Sequence, residues 1–222
     1  MKAVIMDIKP VLFLLLVAAA LSEAHTKCCF PDQFEIDEGQ IVGFVQSGQG
    51  TAVTQSAQAA FDYTNRRTGA LLQSSGFRYQ TITDYNKGVM YTINLTLKTC
   101  QKTALPSRTM DHCVPSNATY DGPFYLGEYK LDGDSFSFSV NAEGDVLKGT
   151  LSVTQGECVP VGETLFGTFR GRQTLILAGY VNFSPYIKDP SKYFNVPNYC
   201  STGSFSSELD EALAHVTHTF LF

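Results

Sequence analysis

Strict alternation of apolar and polar side chains constrains the fold of this chain more than any other feature. In residues 89–98 (VMYTINLTLK) the odd positions are apolar and the even positions are mostly polar. Residues 135–140 alternate serine with phenylalanine or valine. A period of two is typical of β-strands with one buried face and one wet face. The pattern therefore predicts an antiparallel, all-β protein.

Turn residues divide these alternating segments into hairpins. Residues 86–88 (NKG) separate strands predicted over 77–85 and 89–98, and residues 141–145 (NAEGD) separate strands predicted over 135–140 and 146–153. Further strands are predicted over 40–46, 51–63, 125–131, 163–170 and 173–182. About ten strands in one open sheet would leave a face exposed, so we expect two packed sheets or a barrel. Residues 99–121 and 184–202 are predicted to be irregular.

The end of the chain alone has a helical pattern. Its apolar residues are Leu209, Leu213 and Val216, and Ser206 or Ser207 can cap the helix. His215 and His218 have a spacing that can bind metal, but exposed histidines on a terminal helix are the favoured interpretation.

The N-terminus has the organisation of a secretory signal peptide. An apolar run at 11–21 is followed by Ser22 and Ala24, the small residues expected before a cleavage site at His25. The run is too short to cross a bilayer, which requires about 20 residues. We therefore predict a signal peptide at 1–24, a single domain at 25–222 and no membrane span.

Six cysteines follow that segment, and an even number in a secreted chain predicts disulfides. They are Cys28, Cys29, Cys100, Cys113, Cys158 and Cys200. A zinc site built on these cysteines would need Cys-x-x-Cys pairs or histidines at metal spacing from them, which are absent. The neighbours Cys28 and Cys29 are each expected to pair elsewhere, and the sequence alone allows about 15 connectivities.

Three glycosylation sequons agree with secretion. They begin at Asn94, Asn117 and Asn182, and Pro185 is expected to lower the use of the third. The formal net charge of −5 argues against nucleic acid as a partner. No Gly-x-Ser-x-Gly motif is present, and the chain is predicted not to be an enzyme. A hydrolase whose site is dispersed along the sequence is the least favoured alternative.

The apolar faces of the alternating strands are candidates for a ligand pocket. The predicted lining residues are Val89, Tyr91, Ile93, Phe136, Phe138, Leu151, Val153, Leu175 and Leu177. The same pattern would arise in a filled core, and periodicity alone does not distinguish the two. Asp132 and Asp134, separated by a glycine, are the most calcium-like pair because clustered carboxylates bind that ion. An ordinary hairpin turn is the favoured interpretation there.

A series of short segments resembles the ependymin-related proteins, in order and spacing, from Cys28 to Cys200. The segments are 86–91 (NKGVMY), 98–102 (KTCQK), 115–119 (PSNAT), 157–164 (ECVPVGET), 188–191 (KDPS) and 196–200 (VPNYC). The resemblance implies two stacked, curved antiparallel sheets around a deep apolar pocket. It also implies secretion, N-glycosylation, a homodimer, calcium association, a lipid or hydrophobic ligand, and no known catalysis.

The resemblance also implies a disulfide pattern. Cys158 should bond to Cys28 or Cys29, and Cys100 should bond to Cys200. Cys113 lies outside the family pattern and is expected to pair with the remaining cysteine. The first functional hypothesis is thus a secreted carrier of a hydrophobic ligand in extracellular matrix or fluid. The alternative is a structural or adhesive matrix glycoprotein without a ligand pocket.

Overall fold

The computed structural model describes residues 27–201, apart from 75, 106–108, 143–144 and 170. Eleven strands make up most of this part of the chain. They are β1 (Gln33–Gln46), β2 (Gln49–Asp62), β3 (Arg67–Ser74), β4 (Phe77–Asp84), β5 (Val89–Asn94), β6 (Thr99–Ala104), β7 (Thr119–Leu126), β8 (Leu131–Ala142), β9 (Asp145–Thr154), β10 (Pro160–Phe169) and β11 (Arg172–Ser184). A short helix α1 (Pro190–Phe194) and a 3-10 turn (Asn198–Ser201) follow. The prediction of an all-β protein is confirmed.

The strands form one continuous antiparallel sheet. Its order is β6-β5-β4-β3-β2-β1-β11-β10-β9-β8-β7. The sheet consists of two meanders, β1–β6 and β7–β11, and the pairing of β1 with β11 joins them. The two expected layers therefore belong to a single hydrogen-bonded sheet. None of the described helices is both long and apolar enough to cross a membrane.

The connection between the two edge strands indicates that the sheet is curved. Ten strand spacings would separate β6 from β7 by about 48 Å in a flat sheet. Residues 105–118, fully extended, reach only about 50 Å. The connection is not extended, because the Ala118 N–H donates to the Pro115 carbonyl across a turn (2.9 Å). The two edges must therefore lie closer together than in a flat sheet.

The register assigns alternate residues to two faces. We call one the core face, because it carries side chains that are almost fully buried. On it, Phe34 pairs with Phe61 of β2, and their rings stack with centroids 4.6 Å apart. Val42, Leu151 and Leu165 are at most 1% exposed on the same face. Burial of these apolar side chains is the main stabilising contribution to such a fold.

Two irregular segments, one around Phe30 and one around Val114, pack against the core face. Disulfides link them to each other and to Cys158. The Phe30 N–H donates to the His112 carbonyl (2.8 Å), and Val114 is buried in the core cluster. Disulfides join Cys28 to Cys158 and Cys29 to Cys113, and a third joins Cys100 to Cys200. These are the pairings that the family resemblance implies, and they show which neighbouring cysteine takes which partner.

The other side of the sheet, the opposite face, has its own small core where it is covered. Residues 189–200, which we call the strap, lie over β3–β6. Ile82 and Ile93 form a buried cluster there with the Cys100–Cys200 disulfide. Asp189 caps α1, and its carboxylate accepts from two backbone N–H groups.

Several predicted boundaries are wrong. Residues 125–131 do not form one strand, because a turn at 127–130 separates β7 from β8. The interval 99–121, predicted as a loop, contains β6 and the start of β7, and α1 lies in the second predicted loop. Strand β3 was not predicted, because its alternation is interrupted by apolar neighbours and Gly69. The predicted signal peptide and C-terminal helix lie outside the described residues.

A trough and an apolar strip on the opposite face

The nine predicted pocket residues do not meet at one site. Phe136, Phe138, Leu151 and Val153 lie on the core face and are at most 6% exposed. They belong to one cluster of mutually packed buried residues. This part of the prediction therefore describes close-packed core in this structure, which is the alternative that the alternation left open.

The other five predicted residues lie on the opposite face. Val89, Tyr91 and Ile93 share that face in the β4–β5 register, and the strap covers this part of it. Leu175 and Leu177 lie further along it and are 44% and 41% exposed. The prediction that these five residues line one pocket together with Phe136 is therefore wrong, because Phe136 lies on the other face of the sheet. Strand β11 is apolar on both faces, so its alternation does not indicate that Ile176, rather than its neighbours, points into the core.

The exposed leucines belong to a larger apolar strip across β1, β11 and β10. Ile41 pairs with Leu177, and Leu175 pairs with Phe166 of β10. We define the apolar strip as Ile41, Phe166, Leu175, Leu177 and Val181, whose exposures range from 41% to 59%. Contiguous exposed apolar surface of this kind marks an interaction site more often than isolated exposed residues do.

A row of glycines crosses the strip between Leu177 and Val181. Gly39 of β1 pairs with Gly179 of β11, which pairs with Gly162 of β10. A Cβ added at Gly39 or Gly179 would meet no atom within 4 Å. The row therefore leaves main chain accessible between larger side chains, which allows a ligand to approach the sheet closely.

Next to the strip, the opposite face of β1–β4 forms a trough of about 490 Å³. Its polar walls contain Ser56, Gln58, Gln73 and Arg78, with Asp37 at the side. Asp37 accepts a hydrogen bond from the Asn182 side-chain amide (2.8 Å). Its apolar lining is provided by Leu71, Leu95 and Val181. Val181 belongs to both the trough and the strip, so a polar cavity continues into an apolar surface.

Behind the glycine row, the core face carries a buried polar cluster. The Tyr180 hydroxyl donates to Glu163 Oε2 (3.1 Å), and the Gln40 amide donates to Glu38 Oε1 (2.6 Å). The Gln55 amide donates in turn to Gln40 Oε1. Glu163 Oε1 has no hydrogen-bond partner among the described residues. Sequence reasoning missed this cluster, although glutamates at apolar positions of alternating strands were a visible signal.

Burial controls the protonation of these carboxyls. It raises the pKa of Glu38 to about 7, while the hydrogen bond from Gln40 acts in the lowering direction. Burial raises the pKa of Glu163 to about 8, where the Tyr180 hydrogen bond lowers it and the Glu38 charge raises it. Burial likewise raises the pKa of Tyr180 well above its ordinary value. The cluster therefore holds neutral carboxyl groups at acidic pH.

The three sequons differ in exposure. Asn94 is 0% exposed, and its side-chain oxygen accepts from the Thr96 and Leu97 N–H groups (3.0 and 2.9 Å). Its amide nitrogen is also buried. A glycan has no space on that nitrogen, so the prediction for Asn94 is wrong in this fold. Asn117 and Asn182 are exposed and remain predicted glycosylation sites.

Asp132 and Asp134 lie inside β8, so the hairpin-turn interpretation is also incorrect. The Asp134 carboxylate accepts from the Gln155 amide (2.8 Å) and the Tyr120 hydroxyl (3.4 Å). Among the described residues, no three or more His, Cys, Asp or Glu side chains are grouped so that they could hold a metal ion. Calcium association stays a prediction from the family resemblance.

Comparison with known proteins finds sequence similarity over most of this chain. The family model described as Ependymin matches residues 73–200. Ependymin-related protein 2 of Haliotis asinina is 30% identical over 203 residues, covering 86% of this chain and 98% of that protein. Development-specific protein LVN1.2 of Lytechinus variegatus is 28% identical over 64% of this chain and 83% of that protein.

More distant similarity extends over most of the chain. Ependymin of Notemigonus crysoleucas is 24% identical over 90% of this chain and 92% of that protein. Among solved structures, an uncharacterized conserved protein from Thermus thermophilus aligns with a TM-score of 0.47 at 10% identity, over 86% of this chain and 95% of that one.

Proposed function

Because the chain belongs to the ependymin family, we propose that it is a secreted protein that binds a lipid or another hydrophobic ligand on the opposite face of its sheet. The observation that carries the proposal is the continuity of the trough with the apolar strip through Val181. This arrangement suits an amphiphile, with a polar head in the trough and an apolar chain along the strip. No catalytic step is part of the proposal.

The dimensions and the chemistry support this assignment. A volume of about 490 Å³ falls within the range of small-molecule sites, roughly 300–1,000 Å³. Arg78 and the amides of Gln58 and Gln73 supply hydrogen-bond donors for a polar head. Burying the exposed strip against an acyl chain would contribute about 25 cal/mol per Å² of apolar surface removed from water.

Binding of a fluorescent acyl probe tests the proposal. Replacing Leu175 and Leu177 with asparagine should weaken binding at least about tenfold, since more than about 1.4 kcal/mol of apolar contact is lost. The matched control is Leu126→Asn, at a 46% exposed leucine at the end of the edge strand β7. Equal affinities for the strip variant and the control would contradict the site.

Native mass spectrometry of protein purified from its own secretions provides an independent test. A co-purified lipid that is lost in the Leu175→Asn/Leu177→Asn variant would support the proposal. The absence of any bound hydrophobic molecule in several preparations would contradict it. Fatty acid, fatty alcohol and lysophospholipid titrations would then distinguish the head groups.

A second candidate, adhesion within the extracellular matrix, is favoured by the β7–β8 turn. Tyr125 and Tyr129 stack with ring centroids 3.8 Å apart and are 51% and 71% exposed. Leu126 and Leu131 beside them are also exposed. Exposed tyrosines are common in protein contacts. Loss of matrix or cell binding on Tyr125→Ser/Tyr129→Ser, with acyl-probe binding unchanged, would support this candidate.

Homodimer formation and calcium association belong to the proposal as properties expected of the family. Sedimentation would measure the first, and calorimetric titration with calcium would measure the second. A monomer would remove the dimer from the proposed function, and the absence of calcium binding would remove the calcium association.

A further inference from the structure

We propose that the β1–β11–β10 seam is a proton-controlled latch, closed when Glu38 and Glu163 are neutral and loosened when they ionise, and that it regulates ligand binding on the opposite face. The regulation of binding rests on the proposed function. The latch itself rests on the core-face cluster and can be tested without a ligand.

The cluster lies at the pairing that joins the two meanders. Glu38 pairs with Tyr180 across β1–β11, and Glu163 pairs with Ala178 across β10–β11. The two carboxyls thus flank β11 on its two sides, on the same face. A movement that separates the two side chains therefore also displaces β1 or β10 relative to β11, where one half of the sheet joins the other.

Within the described part of the chain, no cation compensates these carboxyls. Their titratable neighbours are each other and Tyr180, and like charges on these groups raise one another's proton affinity. The paired positions on the flanking strands are Ala57 of β2 and Leu151 of β9, which are apolar. The ion pairs among the described residues involve neither Glu38 nor Glu163.

Ionisation in this environment requires water. Glu163 is 5% exposed and its Oε1 is already unpartnered, so a carboxylate there has no hydrogen-bond donor beyond Tyr180 among the described residues. A buried charge without partners is costly, and the structure can lower that cost by admitting water along the seam. The residues directly behind the cluster are Gly39, Gly179 and Gly162, which border the apolar strip.

The direction of the pH effect follows from the raised proton affinity. Burial raises the pKa of both carboxyls above the value near 4.5 of an exposed glutamate. The folded chain therefore binds more protons than the unfolded chain between about pH 4.5 and 8. Stability is greatest below that interval and falls as the pH rises through it.

The first experiment measures thermal unfolding from about pH 5 to pH 8.5 for wild type, Glu38→Gln/Glu163→Gln and the exposed control Glu157→Gln. Wild type and control should lose about 5–10 °C over this range, and the double variant should lose less than half of that. Identical losses in all three proteins would overturn the latch.

A second measurement needs no variant. Carboxyl carbon NMR should show Glu38 and Glu163 titrating above about pH 6, and hydrogen exchange at Gly39 and Gly179, corrected for intrinsic rates, should accelerate by about tenfold or more above about pH 8. Titration of both carboxyls below about pH 5.5, or exchange that does not accelerate, would overturn the latch even if the double variant fails to fold.

The third experiment tests regulation with a lysophosphatidylcholine probe, whose head keeps its charge over this range. Wild-type affinity should fall at least about fivefold from about pH 6 to pH 8.5, and the double variant should change less than about twofold. A pH-independent affinity in wild type would overturn the regulation. Absence of binding at both pH values would instead contradict the proposed function, while the unfolding and exchange results would still decide the latch.

Discussion

Two regions of the opposite face have similar apolar patterns and different environments. Under the strap, Ile93 is 0% exposed, whereas Leu177 on the apolar strip is 41% exposed. Both residues occupy alternating strands, so their periodicity does not distinguish them. The difference arises from residues 189–200, which the Cys100–Cys200 disulfide fixes over β3–β6. Chain connectivity therefore decides which part of an apolar face becomes core and which part stays available to a ligand.

Removal of the disulfide that holds the strap should produce the largest change in the free energy of unfolding among the variants that test this difference. Cys100→Ser/Cys200→Ser opens a loop with a sequence separation of 100 residues. The free energy of unfolding should fall by about 4 kcal/mol, mainly because the unfolded chain gains conformational freedom. Urea denaturation would measure it. A loss below about 1 kcal/mol would show that the disulfide does not hold the strap. The same conclusion would follow if amide hydrogens of the strap were equally protected from exchange in this variant and in Cys29→Ser/Cys113→Ser.

Truncation of one apolar residue in each region should show directly that the two regions contribute differently to stability. Ile93→Ala removes fully buried methyl groups and should cost about 3 kcal/mol, while Leu177→Ala should change the free energy of unfolding by less than about 0.5 kcal/mol. Chemical denaturation of both variants is the measurement. Equal costs would mean that the strip is covered in solution.

Two glycines on the opposite face provide a matched pair. A Cβ at Gly69 would lie 2.5 Å from the Tyr193 carbonyl oxygen of the strap, whereas one at Gly39 would meet nothing within 4 Å. Gly69→Ala should therefore destabilise by about 2 kcal/mol through displacement of the strap. Gly39→Ala should be close to neutral. Thermal unfolding of the pair would test this, and a neutral Gly69→Ala would place the strap further from the sheet.

The smallest expected effect concerns the polar end of the strapped region. Asp62 accepts from Arg67 Nε (2.9 Å), and the Arg67 guanidinium lies 4.0 Å from the Phe194 ring centroid. Burial alone would raise the pKa of Asp62. The hydrogen bonds from Gln33, Asn65 and Arg67 together outweigh burial, so the pKa lies below its ordinary 3.8.

Asp62→Asn should therefore cost about 1 kcal/mol at neutral pH. A lowered pKa means that the carboxylate stabilises the fold above the ordinary value and that this contribution is lost as the pH falls through the lowered one. Wild type and variant should thus converge in acid. Unfolding curves measured from about pH 7 downwards should show the difference shrinking below about pH 4.

The sequence was most informative where only one face of a strand is apolar. Residues 136–140 alternate so strictly that the core face of β8 follows from the pattern. Strand β11 reads Leu-Ile-Leu-Ala, which is apolar on both faces, and its inward residue was therefore misassigned. Asn94 matched a sequon, but its side chain stabilises the turn after β5 by accepting backbone hydrogen bonds. Such local use of a side chain is not visible in a three-residue motif.

The disulfides and the trough illustrate two further limits. The resemblance left Cys113 to pair with either Cys28 or Cys29, and the structure selects Cys29, whereas alternation carries no information about the pairing. The trough is formed by side chains from strands that are distant in sequence, such as Ser56 and Val181. Their proximity depends on the β1–β11 register, which sequence periodicity does not specify.

The β1–β11 pairing also has a consequence for the order of assembly. Within each meander every strand pairs with its neighbour in sequence, so both halves can form from local hairpins as the chain is synthesised. One edge of strand β1 remains open until β11, the last of the described strands, has been made. Joining the halves is thus the slow, non-local step, and a newly synthesised β7–β11 half could equally join the β1–β6 half of another molecule. Domain-swapped pairs are therefore the characteristic misfolded product expected of this topology.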